Sequence, residues 1–213
     1  MGIEKNGYYD DFEIDLDIFM QNNCLSDLFW LKDLKLRKFY LNYGVDQDGI
    51  HEIVRHILQI NAEDAQINPE ERRPILLYIA SRGGSVDDGF ELIDAIEASK
   101  TPVWTINLGY AYSMGFLIGI SGHRRFAMKN AKFLMHDGTN IVWDSGTKAQ
   151  DQMEFNRRVE QRIKEYVLSH SRVSEEEYDQ KYRVEWYLFA DEAKEKGFTD
   201  FIIGEDCGID AII

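Results

Sequence analysis

The stretch INLGYAYSMGFLIGISG, residues 106–122, sets a serine, Ser113, in the middle of an apolar run with glycines on both sides. A serine at a strand-to-helix turn can be pushed out of the fold, where the first helical amides point at any oxyanion that forms on it. The pattern is A-Y-S-M-G and not the G-x-S-x-G elbow, and a serine at a helix N-cap is common. A second feature lies upstream. In R-G-G-S, Gly83 and Gly84 leave backbone N–H groups unshielded at the start of a helix, as an oxyanion hole or anion cradle requires. Neither G-K-[ST] nor G-x-G-x-x-G is present there, and a plain tight turn would need the same glycines.

The third feature is His136, which closes the apolar run AKFLMH. A solvent-facing strand end or a satisfied core histidine would look the same. His51, His56, His123 and His170 fall on helix faces or in loops and have no comparable setting. On neighbouring strand ends, Ser113 and His136 would supply a nucleophile and its general base, and that conjunction is far more specific than either member. Such chemistry calls for no cofactor and no metal, because the histidine generates the nucleophile and backbone amides hold the charge.

The elements that must position these residues follow from the hydropathy pattern. RKFYLNYG reads as a strand ending at Gly44, and Ile50, Ile53, Val54, Ile57 and Leu58 then share one helix face. ILLYIA (75–80) is a continuous apolar run, as in a strand buried on both faces of a parallel sheet. The turn SRGGSVDDG leads into a helix with Val86, Phe90, Ile93 and Ile96 inward, and a second strand, VWTINL, turns through GYAYS into a helix from about Met114. Strand, glycine turn and helix in succession imply right-handed crossovers, with both turns at one end of the sheet. AKFLMH is the third strand. From about Lys148 to His170, Met153, Val159, Ile163, Tyr166 and Val167 mark one long helix with a charged outer face. A short helix at DEAKEKG and a strand FIIG close the chain.

Composition narrows the classes. The 213 residues suit one α/β domain, and 44% hydrophobic residues with 3 prolines describe a folded globule. No apolar run approaches the roughly 18 residues that span a bilayer, and no basic leader precedes an apolar stretch, which predicts a cytoplasmic protein without a membrane partner. A formal charge of −14 repels nucleic acid. Cys24 and Cys207 lie far apart without metal-ligand spacing and read as ordinary thiols. Residues 1–35 read as an acidic N-terminal arm: Glu4, Asp10, Asp11, Glu13, Asp15 and Asp17 are opposed only by Lys5 and interleaved with Tyr8, Tyr9, Phe12 and Phe19. Such a segment is a solvated arm or a docking, pore-lining one.

From about Leu36 to Ile203, and most strongly from LLYIASRGGS to AKFLMH, the sequence resembles the proteolytic subunit of the Clp protease. This is the ClpP family of serine peptidases, on the crotonase-like superfold. The resemblance implies an α/β fold of repeated β-β-α spiral units in residues 36–213, with a long protruding handle helix at about 148–170. It matches Ser113 to the nucleophile, His136 to the base, Glu185 to the acid, and the amides of Gly84 and Met114 to the oxyanion hole. Tyr112 and Met114 would flank a cleft that favours apolar side chains beside the scissile bond. Polypeptide substrates, a homo-oligomer of heptameric rings stacked as a tetradecamer, and a AAA+ unfoldase partner are the implied associations.

Five positions depart from the family pattern. Arg82 stands where S-P-G-G has proline, and H-Q-P is here His136-Asp137-Gly138. The acid is Glu185 in place of aspartate, and Val184 replaces the neighbouring arginine that helps stack rings. The family's N-terminal pore hairpin is not recognisable in residues 1–35. Glutamate serves as the third member of other Ser-His-acid triads, so the chemistry is affected less than the assembly. Asp137 is the competing carboxylate, but as a strand neighbour of His136 it should point to the opposite face. The alternatives are a ring subunit that assembles without cutting and a crotonase-type acyl-CoA enzyme. The latter shares the two-amide oxyanion hole but has no use for the Ser113–His136 pair.

Overall fold

A mostly parallel sheet organises the chain in the computed structural model, which describes residues 25–138 and 145–213. The acidic stretch from Glu4 to Asp17, its interleaved aromatics and Cys24 lie outside the described residues. The described residues divide into two units, within 25–37 and within 38–213. The first contributes helix α1, Leu25–Lys35. That helix was not foreseen in the arm.

The second unit carries the sheet. Its strands are β1 (Lys38–Leu41), β2 (Ile75–Ser81), β3 (Val103–Tyr112), β4 (Arg124–Met128), β5 (Lys132–Met135), β6 (Trp186–Phe189) and β7 (Phe201–Ile203). The order is β1-β2-β3-β4-β7, with β5 paired to β3 and β6 paired to β5. Every pairing is parallel except the antiparallel β5–β6. Strand β2 reads as an unbroken apolar run because it is buried along almost its whole length.

Strand β3 is the pivot. Its first half, Trp104–Asn107, pairs with β4, and its last residues, Tyr110–Tyr112, pair with β5. The single expected strand in this region is therefore two, stepping along one edge of β3 through a turn closed by Ala131 N–H to Met128 O, 2.8 Å. Asn107, 3% exposed, mends the gap between them by donating from Nδ2 to Lys132 O and accepting from Gly109 N–H. A buried amide left unpaired here would be costly.

Helices α2 (Gln47–Glu63) and α3 (Val86–Ala98) pack against each other. Asp46 and Ser85 cap them, accepting from the N–H groups of Gly49 and Asp88. The inward face of α2 is Ile50, Ile53, Val54, Ile57 and Ile60, whereas Leu58 is 61% exposed and leaves the predicted core list. Helix α4 (Met114–Ile120) is buried at all seven positions, so it shows no amphipathic stripe at all. Helix α5 (Gly146–Ser169) has 24 residues and is about 36 Å long, yet only Val167 is buried. Met153 and Phe155 on it are exposed. After α6 (Glu175–Lys181) and β6, α7 (Ala190–Glu195) leads into β7. No helix among the described residues is long and apolar enough to cross a membrane.

Candidate active site

Ser113 occupies the single residue between β3 and α4, at φ 54° and ψ −123°. A non-glycine residue in that region stores on the order of 1–3 kcal/mol of backbone strain and persists only where its surroundings over-determine it. Here they do. Ser113 N–H donates to Leu134 O at 2.9 Å, and Ser113 O accepts from the N–H groups of Phe116 and Leu117 at 2.9 and 3.3 Å. Glycines close the remaining sides: a Cβ on Gly83 would lie 2.8 Å from Ser113 Cβ, and one on Gly115 would lie 3.1 Å from Ser81 O.

The R-G-G-S loop is threaded beside this turn. Gly83 has φ +89°, and a Cβ on Gly84 would sit 2.3 Å from Val45 O. Val45 N–H donates to Gly83 O at 3.0 Å and Val45 O accepts from Ser85 N–H at 2.8 Å, forming a parallel bridge around Gly84. That bridge uses the groups of Gly83 and Ser85, so the Gly84 amide faces the other way. Met114 is the first residue of α4, and its N–H has no intrahelical acceptor. Each is a donor suited to a developing anion at a helix start.

Sheet register brings in the other two residues. Strand β5 runs parallel to β3 with Tyr112 opposite Leu134, and antiparallel to β6 with Met135 opposite Trp186. Continued by one residue, the second register sets His136 across from Glu185. Their side chains meet: His136 Nδ1 lies 3.5 Å from Glu185 Oε1, an ion-pair distance longer than a tight hydrogen bond. Glu185 Oε2 accepts from the Tyr187 hydroxyl at 2.6 Å. Asp137 is exposed, and its backbone N–H bonds Tyr182 O at 3.0 Å.

Ser113 and His136 line one cleft of about 440 Å³ of empty space, part of it open to solvent. Its remaining walls are mainly apolar: Val86, Met114, Leu117 and Ile163, with Tyr178 and Tyr182. Burial, with the charges of Glu160 and Asp137, pushes the Tyr182 phenol up to about 12. Burial first, then the neighbouring Tyr182 phenol and the charges of Asp179 and Glu160, pushes Tyr178 higher still. Both phenols therefore stay neutral in ordinary buffers. The departures are also placed. Arg82 lies over the Tyr110 ring at 5.4 Å, and Val184 is 51% exposed.

Sequence reasoning missed Tyr178, Tyr182 and Tyr187, and it placed Ile163 on the long helix without giving it a part in the cleft. A period-2 reading of β6 would have put Glu185 and Tyr187 on one face. The strand WYLF conceals it, because its buried Trp186 and Leu188 alternate with exposed Tyr187 and Phe189 that are no less aromatic.

A strained serine and a carboxylate-facing histidine in one apolar cleft, beside two helix-start amides, form the kind of site that hydrolytic acyl transfer uses. Residues 27–206 match the Clp protease family model, and the chain belongs to the Clp protease family, a family of peptidases. The ATP-dependent Clp protease proteolytic subunit 2 of Treponema pallidum is 26% identical over 180 residues, covering 84% of this chain and 87% of that protein. The protein of the same name from Corynebacterium diphtheriae is 30% identical over 181 residues, covering 84% and 88%.

Proposed function

We propose that the chain is a serine endopeptidase, the proteolytic subunit of a Clp-type compartmentalised protease that cuts unfolded polypeptides and short peptides. The observation that carries this reading is Ser113, held at positive φ in the cleft it shares with His136, whose Nδ1 faces Glu185. With Nδ1 so engaged, Nε2 is the nitrogen left for the serine.

Ser113 Oγ attacks the scissile carbonyl carbon while His136 Nε2 takes the hydroxyl proton, and the carbonyl electron pair moves onto oxygen. The amides of Gly84 and Met114 hold that oxyanion, and Glu185 stabilises the imidazolium. His136 then gives its proton to the leaving amine as the C–N bond breaks, leaving an acyl ester on Ser113. Water attacks the ester with His136 again as base, releasing the carboxylic acid and the serine. The crotonase-type alternative gives the Ser113–His136 cleft no role. The apolar walls around Ser113 suit an apolar side chain beside the scissile bond.

Family kinship supports a homo-oligomer of heptameric rings, stacked as a tetradecamer, in the cytoplasm. The length and exposed apolar side chains of α5 suit it to such stacking. ATP enters only through a AAA+ unfoldase partner. The test is Ser113→Ala, which should lower hydrolysis of short fluorogenic peptides by about 10⁴ or more and leave the fold unchanged. Full activity in that variant would refute the reading.

A further inference from the structure

We infer that Tyr187 is a positioning residue for this site, its phenol holding Glu185 Oε2 so that Oε1 stays on His136 Nδ1. The inference rests on the serine-peptidase reading above and adds a residue to it. Glu185 has one more side-chain torsion than an aspartate and its side chain is 57% exposed, so nothing in the burial of the carboxylate fixes its direction. The Tyr187 hydroxyl does. It donates to Oε2 at 2.6 Å from two residues along the same face, a short bond of the kind made to a charged acceptor.

The tyrosine is itself held. Its ring meets Tyr112 edge-on, with centroids 5.9 Å apart at 88°, and Tyr112 in turn meets Tyr110 at 5.5 Å. Arg82 lies over Tyr110 at 5.4 Å. Tyr112, Leu134 and Tyr187 are register partners across β3, β5 and β6, so the two tyrosines meet over Leu134. Tyr112 directly precedes Ser113. An aromatic row therefore joins the nucleophile's strand to the acid's strand, and the bond between Tyr187 and Glu185 is its last link. The hydrogen bond to Glu185 raises the Tyr187 phenol above its ordinary value, which keeps it a neutral donor.

The test is a double-mutant cycle in the full-length protein with Tyr187→Phe and Glu185→Gln, read as kcat and KM on a short peptide. Tyr187→Phe keeps the ring and its contact with Tyr112, and should lower kcat about three- to tenfold with KM within about twofold. On the Glu185→Gln background it should cost no further activity beyond about twofold, because the residue acts through that carboxylate. Unchanged kcat in Tyr187→Phe, or the same factor lost on both backgrounds, overturns the inference and leaves the peptidase reading standing. A parent chain whose activity survives Ser113→Ala overturns both.

Discussion

The nucleophile and the acid of the proposed triad are held in opposite ways. Ser113 sits in a turn locked by three backbone hydrogen bonds and by glycines whose missing side chains let three segments interlock. Glu185 lies at the exposed start of β6 and is directed by His136 on one oxygen and Tyr187 on the other. The first arrangement leaves no room for change without moving backbone. The second can be adjusted side chain by side chain, and it is there that this chain carries Glu185 where the resemblance leads one to expect an aspartate.

Breaking the rigid side should have the larger effect. In Gly84→Ala the new methyl would fall 2.3 Å from Val45 O, a backbone atom that cannot swing away. We expect a loss of about 3 kcal/mol or more in unfolding free energy and, in the folded fraction, about 10³ in kcat as the donor is displaced. Thermal melts together with active-fraction kinetics check this. A fully active and equally stable variant would show that the interlocked loop is not required.

Breaking the adjustable side should cost less. Glu185→Gln keeps the volume and removes the charge, and kcat should fall about 10², below the roughly 10⁴ of fully buried triads because this carboxylate is half in water. Asp137→Asn should change kcat by less than about threefold. Reversed results would assign the acid's role to Asp137.

The smallest effect concerns the cleft wall. The Tyr182 phenol ionises near 10.0 in the unfolded chain and near 12 in the fold. Its neutral form is favoured by folding, so that contribution is complete below pH 10 and is lost as pH rises through 12. Melting temperatures of the parent should therefore fall more steeply above pH 10 than those of Tyr182→Phe. Parallel curves would remove Tyr182 from this account.

Much of the framework was legible because contiguous apolar runs mark β2 and β3, and the polar turns between them carry the glycines. Helix α5 was also visible, within two residues at its start and one at its end. What escaped had physical reasons. Strand β4 opens on Arg124 and Arg125, whose polar character hid an interior strand between β3 and β7, and Arg125 is in fact satisfied by Asp200 at 2.6 Å. Helix α6 is three glutamates at its start, a solvated surface pattern apart from buried Tyr178. The triad candidates could be named from residue types and spacing, and Glu185 only from the family resemblance. Tyr187 was not named, since WYLF is aromatic on both faces and hides the two-residue period that sets Tyr187 beside Glu185.

The most direct test of the central claim is covalent labelling of the assembled protein with a fluorophosphonate, followed by mass-spectrometric mapping of the modified residue. The account predicts one labelled residue, Ser113, and labelling slowed by at least about 10² in His136→Ala, because the histidine makes the nucleophile. Modification at another residue, or labelling of Ser113 at the same rate without His136, would contradict it.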